Sequence, residues 1–337
     1  FSRISPISML DLGEFRFIQD LLQGAAPLDV RPPQERLWLG VGDDAAIFDG
    51  WVATKDLSVE NTHFRLDWST PEQAVEKHIV SNVSDICSMG ARPRIAFLGL
   101  CVNRHWSEEI RLRVRNALSR GFARRGITLL GGDTVTGEEG VFSTTLLGEL
   151  AGKKALVRTA VKKDNNLYVN GTLGKSAAGL WILMNHPEDR EKFSSLVQYH
   201  LCPSIHEKAG VELARLGAYG GCMDISDGLS SELNHLALSS GVNLEIDENL
   251  LPIDPEVLRM CDYYGISPLD FALNGGEEYE LLFANSLPKS IFKKENVLLG
   301  DVWNIGRAFK SDDSPKVSML CRNGDCLPVL PRAWSHL

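Results

Sequence analysis

Apolar residues recur along this chain at helical spacing in some stretches and in short continuous or alternating runs in others, separated by glycines and prolines. Phe15, Ile18, Leu21 and Leu22 predict a short amphipathic helix over Leu12–Leu22, and a loop follows from Gly24 to Pro33. Trp51–Thr54 reads as a strand that ends at Lys55-Asp56. Pro71–Met89 reads as a helix, with proline in its first turn, Val75, Ile79, Val83 and Ile86 on one face, and Gly90 as the stop. Ile95–Val102 is a buried-strand pattern. In Glu108–Phe122, Ile110, Val114, Leu118 and Phe122 fall in helical phase. Ile127–Leu130 predicts a strand running into Gly131-Gly132-Asp133-Thr134, and Val141–Leu150 another. From Gly152 to Asp164 the chain turns basic and polar, with four lysines and Arg158. Beyond it come strands Leu167–Asn170, Gly221–Ile225, Val242–Ile246 and Tyr279–Ala284. Helices alternate irregularly with them at Ser176–Met184, Lys208–Leu216, Leu229–Leu238 and Pro255–Tyr264. Without regular βαβ alternation, this order predicts two mixed α+β domains, 1–152 and 153–337, and not one doubly wound sheet.

Composition narrows the class. The chain has 337 residues, enough for about two domains, with 44% hydrophobic and 23% charged residues. A net charge of -9 argues against a nucleic-acid partner, which calls for a basic face. It suits a protein that recruits divalent cations to bound phosphate. No apolar run approaches the roughly 18 residues of a membrane helix, so no membrane partner is expected. Seven cysteines without a C-x-x-C pair fit a reducing, cytoplasmic setting. Cys321 and Cys326 flank Arg322-Asn323-Gly324-Asp325, a predicted hairpin turn, and read as free thiols.

Candidate chemistry centres on Gly40-Val41-Gly42-Asp43-Asp44-Ala45-Ala46. Its glycines permit a tight turn and close approach to a ligand, although a lone Gly-Asp-Asp also serves as a plain turn before a strand. Strand alternation would send Asp43 and Asp44 to opposite faces. Asp85 shares a helix face with Asn82 and has Ile86, Cys87 and Met89 for neighbours, so it is either paired or binds a cation. Gly174-Lys175-Ser176 resembles a Walker A ending, but Val169 stands where that motif needs glycine. The turn then offers only backbone N–H groups at a helix start to a phosphate. The stronger signal is the set Asp44, Asp56, Asp85, Asp133, Asp224 and Asp227, each in a glycine-rich or apolar setting. Brought together, such acids need positive charge between them. Several Mg2+ ions would supply it, with phosphate oxygens as further ligands, and a cluster of that kind clamping ATP serves phosphoryl transfer.

These motifs resemble one family. Gly42-Asp43-Asp44-Ala45-Ala46, Asp56 with His63-Phe64, Val83-Ser84-Asp85-Ile86 with Met89-Gly90-Ala91 and Pro93, and Gly131-Gly132-Asp133-Thr134 are similar to thiamine-monophosphate kinases. So are Asp224-Ile225-Ser226-Asp227-Gly228-Leu229 and Gly275-Gly276-Glu277-Glu278-Tyr279-Glu280-Leu281, from about Leu12 to the C-terminus in the family's order. The wider superfamily includes aminoimidazole ribonucleotide synthetase, selenophosphate synthetase and a hydrogenase-maturation dehydratase. A sibling synthetase of that kind, or a non-catalytic nucleotide-binding regulator, is the alternative reading. The resemblance implies direct transfer of the ATP γ-phosphoryl to thiamine monophosphate, giving thiamine diphosphate. It also implies a homodimer whose N-terminal domains pair into a β-barrel, with ATP in a cleft between domains. Carried over by position, Asp44, Thr54, Asp56, Asp85, Asp133, Asp224 and Asp227 hold magnesium. By the same correspondence Gly132, Asp133, Arg158 and Ser226 contact ATP, and His63, Glu277 and Trp334 contact thiamine monophosphate. Lys55 departs from the family's usual threonine beside the metal aspartate, which puts its own role as a ligand in doubt.

Overall fold

Two mixed sheets form from these patterns, joined by the basic polar connection. The structure, a computed structural model, describes residues 39–292 and 298–332. The helix expected over Leu12–Leu22, the loop after it and Trp334 lie outside the described residues. In chain order the first half contains β1 (Ala46–Phe48), β2 (Trp51–Val59), α1 (Pro71–Ser88) and β3 (Ala91–Asn103), then α2 (Glu108–Arg124), β4 (Thr128–Gly137) and β5 (Val141–Leu150). The strands lie in the order β1-β2-β5-β3-β4, antiparallel except for β3 beside β4.

Alternation fixes which face is covered. Phe142, Thr144 and Leu146 on β5 turn inward and are buried, against α1 and α2, while their neighbours are only half covered. Val75, Ile79, Val83 and Ile86 of α1 join them in one core, each contributing about 1.5–3 kcal/mol by leaving water. A capping box starts α1: Thr70 Oγ1 accepts from the Gln73 N–H, and Gln73 Oε1 accepts from the Thr70 N–H. Gly90, at φ +72, takes the left-handed turn just past the helix end.

After a short 3₁₀ turn at Arg158–Ala160, the second half runs β6 (Asn166–Asn170), α3 (Lys175–Asn185), α4 (Ser194–Leu201), α5 (Ala209–Leu216) and β7 (Cys222–Asp224). It continues through α6 (Leu229–Ser240), β8 (Val242–Asp247), α7 (Pro255–Tyr264), α8 (Leu269–Asn274) and β9 (Leu281–Asn285), ending with β10 (Val302–Lys310), β11 (Val317–Leu320) and β12 (Cys326–Pro328). The sheet order is β12-β11-β8-β10-β6-β9-β7, with β8 and β11 its parallel pair. Leu229, Leu233 and Leu236 of α6 pack on this sheet, and Tyr168, Phe283 and Phe292 belong to another buried cluster with α5. α1 touches this half as well. A Cβ on Gly210 of α5 would lie 1.6 Å from the Cys87 carbonyl oxygen, so glycine alone permits the approach.

Two strands run further than their patterns predict. β2 continues to Val59 because β5 pairs with it along its whole length, which leaves Asp56 in mid-strand and not at a strand end. β4 passes straight through Gly131-Gly132-Asp133-Thr134, where a glycine turn was expected, held by parallel pairing to β3. Residues 41–45 form bends and not strand, so the alternation expected of Asp43 and Asp44 does not apply. Cys321 donates its N–H to the Asp325 carbonyl in the β11–β12 hairpin, and all seven cysteines carry free thiols. Among the described residues no helix is long and apolar enough to cross a membrane.

Candidate functional site

α1 brings hydroxyls and a carboxylate to the junction of the two halves. Ser81, Ser84 and Asp85 follow one another at helical spacing on its inner side. The Thr54 hydroxyl, from β2, donates to Asp85 Oδ2, and Ser84 Oγ donates to Asp224 Oδ2 at 2.5 Å from the end of β7. Ser81, whose hydroxyl donates to the His78 carbonyl at 2.9 Å, lines the cavity beside Asp56. Neutral hydroxyls thus hold half-buried Asp85 and buried Asp224, and these two lie close enough to each other and to half-buried Asp56 for all three to repel. Burial pushes the Asp224 pKa up to about 8, with the Asp44 charge adding to the rise. Asp85 is raised by burial and then by Asp56, Asp224 and Asp44, and Asp56 is raised by burial despite nearby Lys55.

Asp43 and Asp44 both turn onto Arg158. Arg158 donates its N–H to Asp43 Oδ2 at 3.0 Å and its side-chain Nε to Asp44 Oδ1 at 3.0 Å. Asp44 Oδ2 is buried without a hydrogen-bond partner. Burial and the adjoining Asp44 raise Asp43 to about 7. The opposite-face expectation fails because a bend, unlike a strand, lets consecutive side chains converge.

One cavity of about 910 Å³ opens where α1 faces the second half. Asp56, Asp85, Asp224, Asp227, Ser226, His63, Glu277 and Lys55 line it, together with Trp181, Met184 and Phe271. β1 pairs with β2 only as far as Ala53, and the next part of β2, Lys55 to Ser58, lines the cavity. Gly275-Gly276-Glu277-Glu278-Tyr279 clamps the segment bearing Asp224 and Asp227: the Glu277 N–H donates to Ser226 O at 2.7 Å, and the Tyr279 N–H to Ile225 O at 2.8 Å. This clamp holds Glu277 at φ 61 and Tyr279 at φ 54, a left-handed strain of about 1–3 kcal/mol each. It also sorts the acids. Glu277 meets Lys77 at 2.6 Å, Glu280 meets His206 at 3.1 Å, and Glu278 is buried at the start of α3. There Glu278 Oε1 accepts the Ser176 N–H at 2.9 Å. The turn at Gly174-Lys175-Ser176, expected to present N–H groups to a phosphate, gives one to this carboxylate instead.

Two expected ligands stand apart. Asp133 pairs through Gly99 and Ser143 to Leu57, whereas Asp56 pairs with Thr144. Asp133 is therefore about 14 Å across three strand spacings and on the opposite sheet face, and neither it nor Gly132 lines the cavity. The rung geometry of an extended β4 causes this, since the turn that would have redirected Asp133 does not form. Thr54, Asp44 and Arg158 are not among the residues lining the cavity, although Thr54 donates to Asp85, which is. Sequence reasoning missed Lys77, His200, Ser81 and Ser84. The serines were legible as i, i+3 and i+4 companions of Asp85; the Lys77 and His200 partnership with Glu277 spans distant segments and left no local signal.

Among the described residues, no three carboxylate, imidazole or thiolate groups form a ready-made metal cage. The donors nonetheless suit a hard cation: all are carboxylate or hydroxyl oxygens, Asp85 and Asp224 are raised by burial and by neighbouring carboxylates, and Asp44 Oδ2 is orphaned. Magnesium characteristically takes one or two carboxylates plus substrate phosphates and water, so a full protein cage is not required.

Residues 42–150 match the family described as AIR synthase related protein, N-terminal domain. The thiamine-monophosphate kinase of Mycobacterium tuberculosis is 35% identical over 280 residues, covering 82% of this chain and 81% of that relative. The Aquifex aeolicus thiamine-monophosphate kinase is 31% identical over 335 residues, covering 97% and 98%. A solved structure described as AaThiL complexed with AMPPCP and TMP superposes with a TM-score of 0.80 at 29% identity, covering 99% of this chain and 100% of that one. A hydrogenase maturation protein HypE, at 19% identity and a TM-score of 0.66, shares the fold.

Proposed function

This chain belongs to the thiamine-monophosphate kinase family, phosphotransferases of the aminoimidazole ribonucleotide synthetase-like fold, and from that premise we propose how its site works. It transfers the γ-phosphoryl of ATP in line to the phosphate of thiamine monophosphate, giving thiamine diphosphate. The observation that carries this reading is the group of buried, mutually repelling carboxylates opening on one large cavity. Asp56, Asp85, Asp224 and Asp227 would hold Mg2+ there, with Thr54 bonded to Asp85 and the orphaned oxygen of Asp44 as further donors. Bound magnesium neutralises phosphate oxygens as charge shifts between donor and acceptor. Arg158 donates to both Asp43 and Asp44, and its always-charged fork limits the local excess of negative charge. Ser226 borders the nucleotide, and His63 and Glu277 border thiamine monophosphate. The strands of the first sheet all come from residues 46–150 and those of the second from 166–328, which supports the division at 152/153.

The functional unit is proposed to be a homodimer. Among the described residues β4 is the outer strand of its sheet, and the sheet face away from α1 exposes Leu57, Phe97 and Val135. A second copy closing these sheets into a barrel would satisfy both edge and face.

Purified protein given ATP, Mg2+ and thiamine monophosphate should yield thiamine diphosphate and ADP. A γ-phosphoryl made chiral with oxygen isotopes and sulfur should emerge inverted. No thiamine diphosphate overturns the reading, and retained configuration overturns direct transfer.

A further inference from the structure

Glu232 is a buried acid that the phosphoryl chemistry above does not use. It lies in the first turn of α6, is 2% exposed, and is not among the residues lining the cavity. Burial first, and then the Asp227 charge, push its pKa well above the usual carboxylate range, while the Arg158 charge opposes the rise. Its hydrogen bonds show what it holds. Glu232 Oε1 accepts the Asp227 N–H at 2.9 Å, and the Ser226 hydroxyl donates to the same oxygen at 3.5 Å. Side chains on a helix lean toward its N-terminus, so a residue four beyond the cap reaches back over the turn that precedes the helix. The cap itself, Gly228 at φ +119, contributes no side-chain bond. Glu232 therefore does from inside α6 what a capping side chain does from in front of it.

The same turn is gripped from its other side. The Glu277 N–H bonds Ser226 O and the Tyr279 N–H bonds Ile225 O, so the glycine loop takes the carbonyl oxygens of the turn and Glu232 takes an N–H. Contact with that loop is tight: a Cβ on Gly276 would stand 2.6 Å from Ser226 O. Between these two grips the turn has little room to rotate, and Ser226 and Asp227 both line the cavity. Arg158, whose charge reaches Glu232, also donates to Asp43 and Asp44. The acid-bearing bend of the first half and the acid-bearing turn of the second thus stand around one guanidinium.

We propose that Glu232 is a positioning residue for phosphoryl transfer: through the Asp227 N–H it fixes the direction of the Asp227 carboxylate, and with it the affinity of the cleft for a divalent cation. This rests on the reading of the chain as a thiamine-monophosphate kinase with Asp227 as a cation ligand. The reach of the side chain and its acceptor oxygen do this, not its charge, because an amide oxygen accepts an N–H as a carboxylate does.

The probe is Mn2+, titrated by calorimetry into protein saturated with AMPPCP. Glu232→Asp keeps the charge but is one methylene short of the Asp227 N–H, and Mn2+ binding should weaken about tenfold. Glu232→Gln keeps the length and an acceptor oxygen, and should bind Mn2+ within about threefold of wild type. In turnover, Glu232→Asp should lower kcat with KM for thiamine monophosphate unmoved, and Glu232→Gln should restore kcat. If Glu232→Asp does not fold, Glu232→Met, of similar length but without the oxygen, carries the same expectation. Mn2+ binding by Glu232→Asp equal to wild type, or a loss in Glu232→Gln as deep as in Glu232→Asp, overturns the inference. Wild-type protein that binds no Mn2+ would instead sink the underlying reading.

Discussion

Asp85 and Asp224 repel one another across buried hydroxyls, so each destabilises the protein that it is proposed to equip. Asp85→Asn removes one charge while leaving an oxygen for the Thr54 hydroxyl. Turnover is expected to fall at least about 1000-fold, while the metal-free protein unfolds at no lower temperature than wild type. A lower melting temperature with near-normal turnover would make Asp85 structural. Glu278 presents a cleaner titration. Burial raises its pKa from 4.5 to about 8, with Lys175 opposing the rise. The folded state therefore favours the protonated form; that stabilisation is complete below about pH 4.5 and fades as pH climbs through 8. Glu278→Gln should flatten the decline, so urea denaturation at pH 6 and pH 9 should show the variant gaining on wild type by a few kcal/mol at most, about 1.4 per pKa unit. An identical decline in both proteins would contradict the assignment. Some of this chemistry was readable in the sequence: Asp56, Asp85, Asp224 and Asp227 drew notice through their settings, and all line the cavity. The capping role of Glu278 was not, because its partner Ser176 is 102 residues away.

Elements were legible where the signal was local. α1 shows its proline, its apolar stripe and its closing glycine in order, and α7 and β5 fall on their predicted ends. Strand extents were harder because pairing decides them: β2 and β4 lengthen only because β5 and β3 lie alongside. That difference leaves Asp133 outside the lining of the cavity. The packing of α5 on α1 carries a sharper expectation. Gly210→Val places a Cβ within 1.6 Å of the Cys87 carbonyl oxygen, and backbone cannot swing aside as a side chain does. A loss of about 2–4 kcal/mol in urea denaturation should follow, with weaker turnover because Ser84 and Asp85 ride on the same helix. Unchanged stability would mean that the two helices separate freely.

The whole molecule joins two incomplete surfaces. A cleft between halves collects carboxylates that repel one another, and among the described residues an apolar sheet face is left exposed beside the outer strand β4. A second copy would cover the sheet. Val135→Glu, on β4, should convert a dimer to a monomer in sedimentation at micromolar concentration, and a wild-type monomer there would contradict the proposed barrel. Magnesium nucleotide would complete the cleft. The most direct measurement is a calorimetric titration of Mn2+ into protein saturated with AMPPCP, comparing wild type with Asp85→Asn. Tight, stoichiometric binding by wild type that weakens at least about tenfold in the variant is the predicted result. Equal binding by both, or none by wild type, would contradict a cation site built from these buried acids.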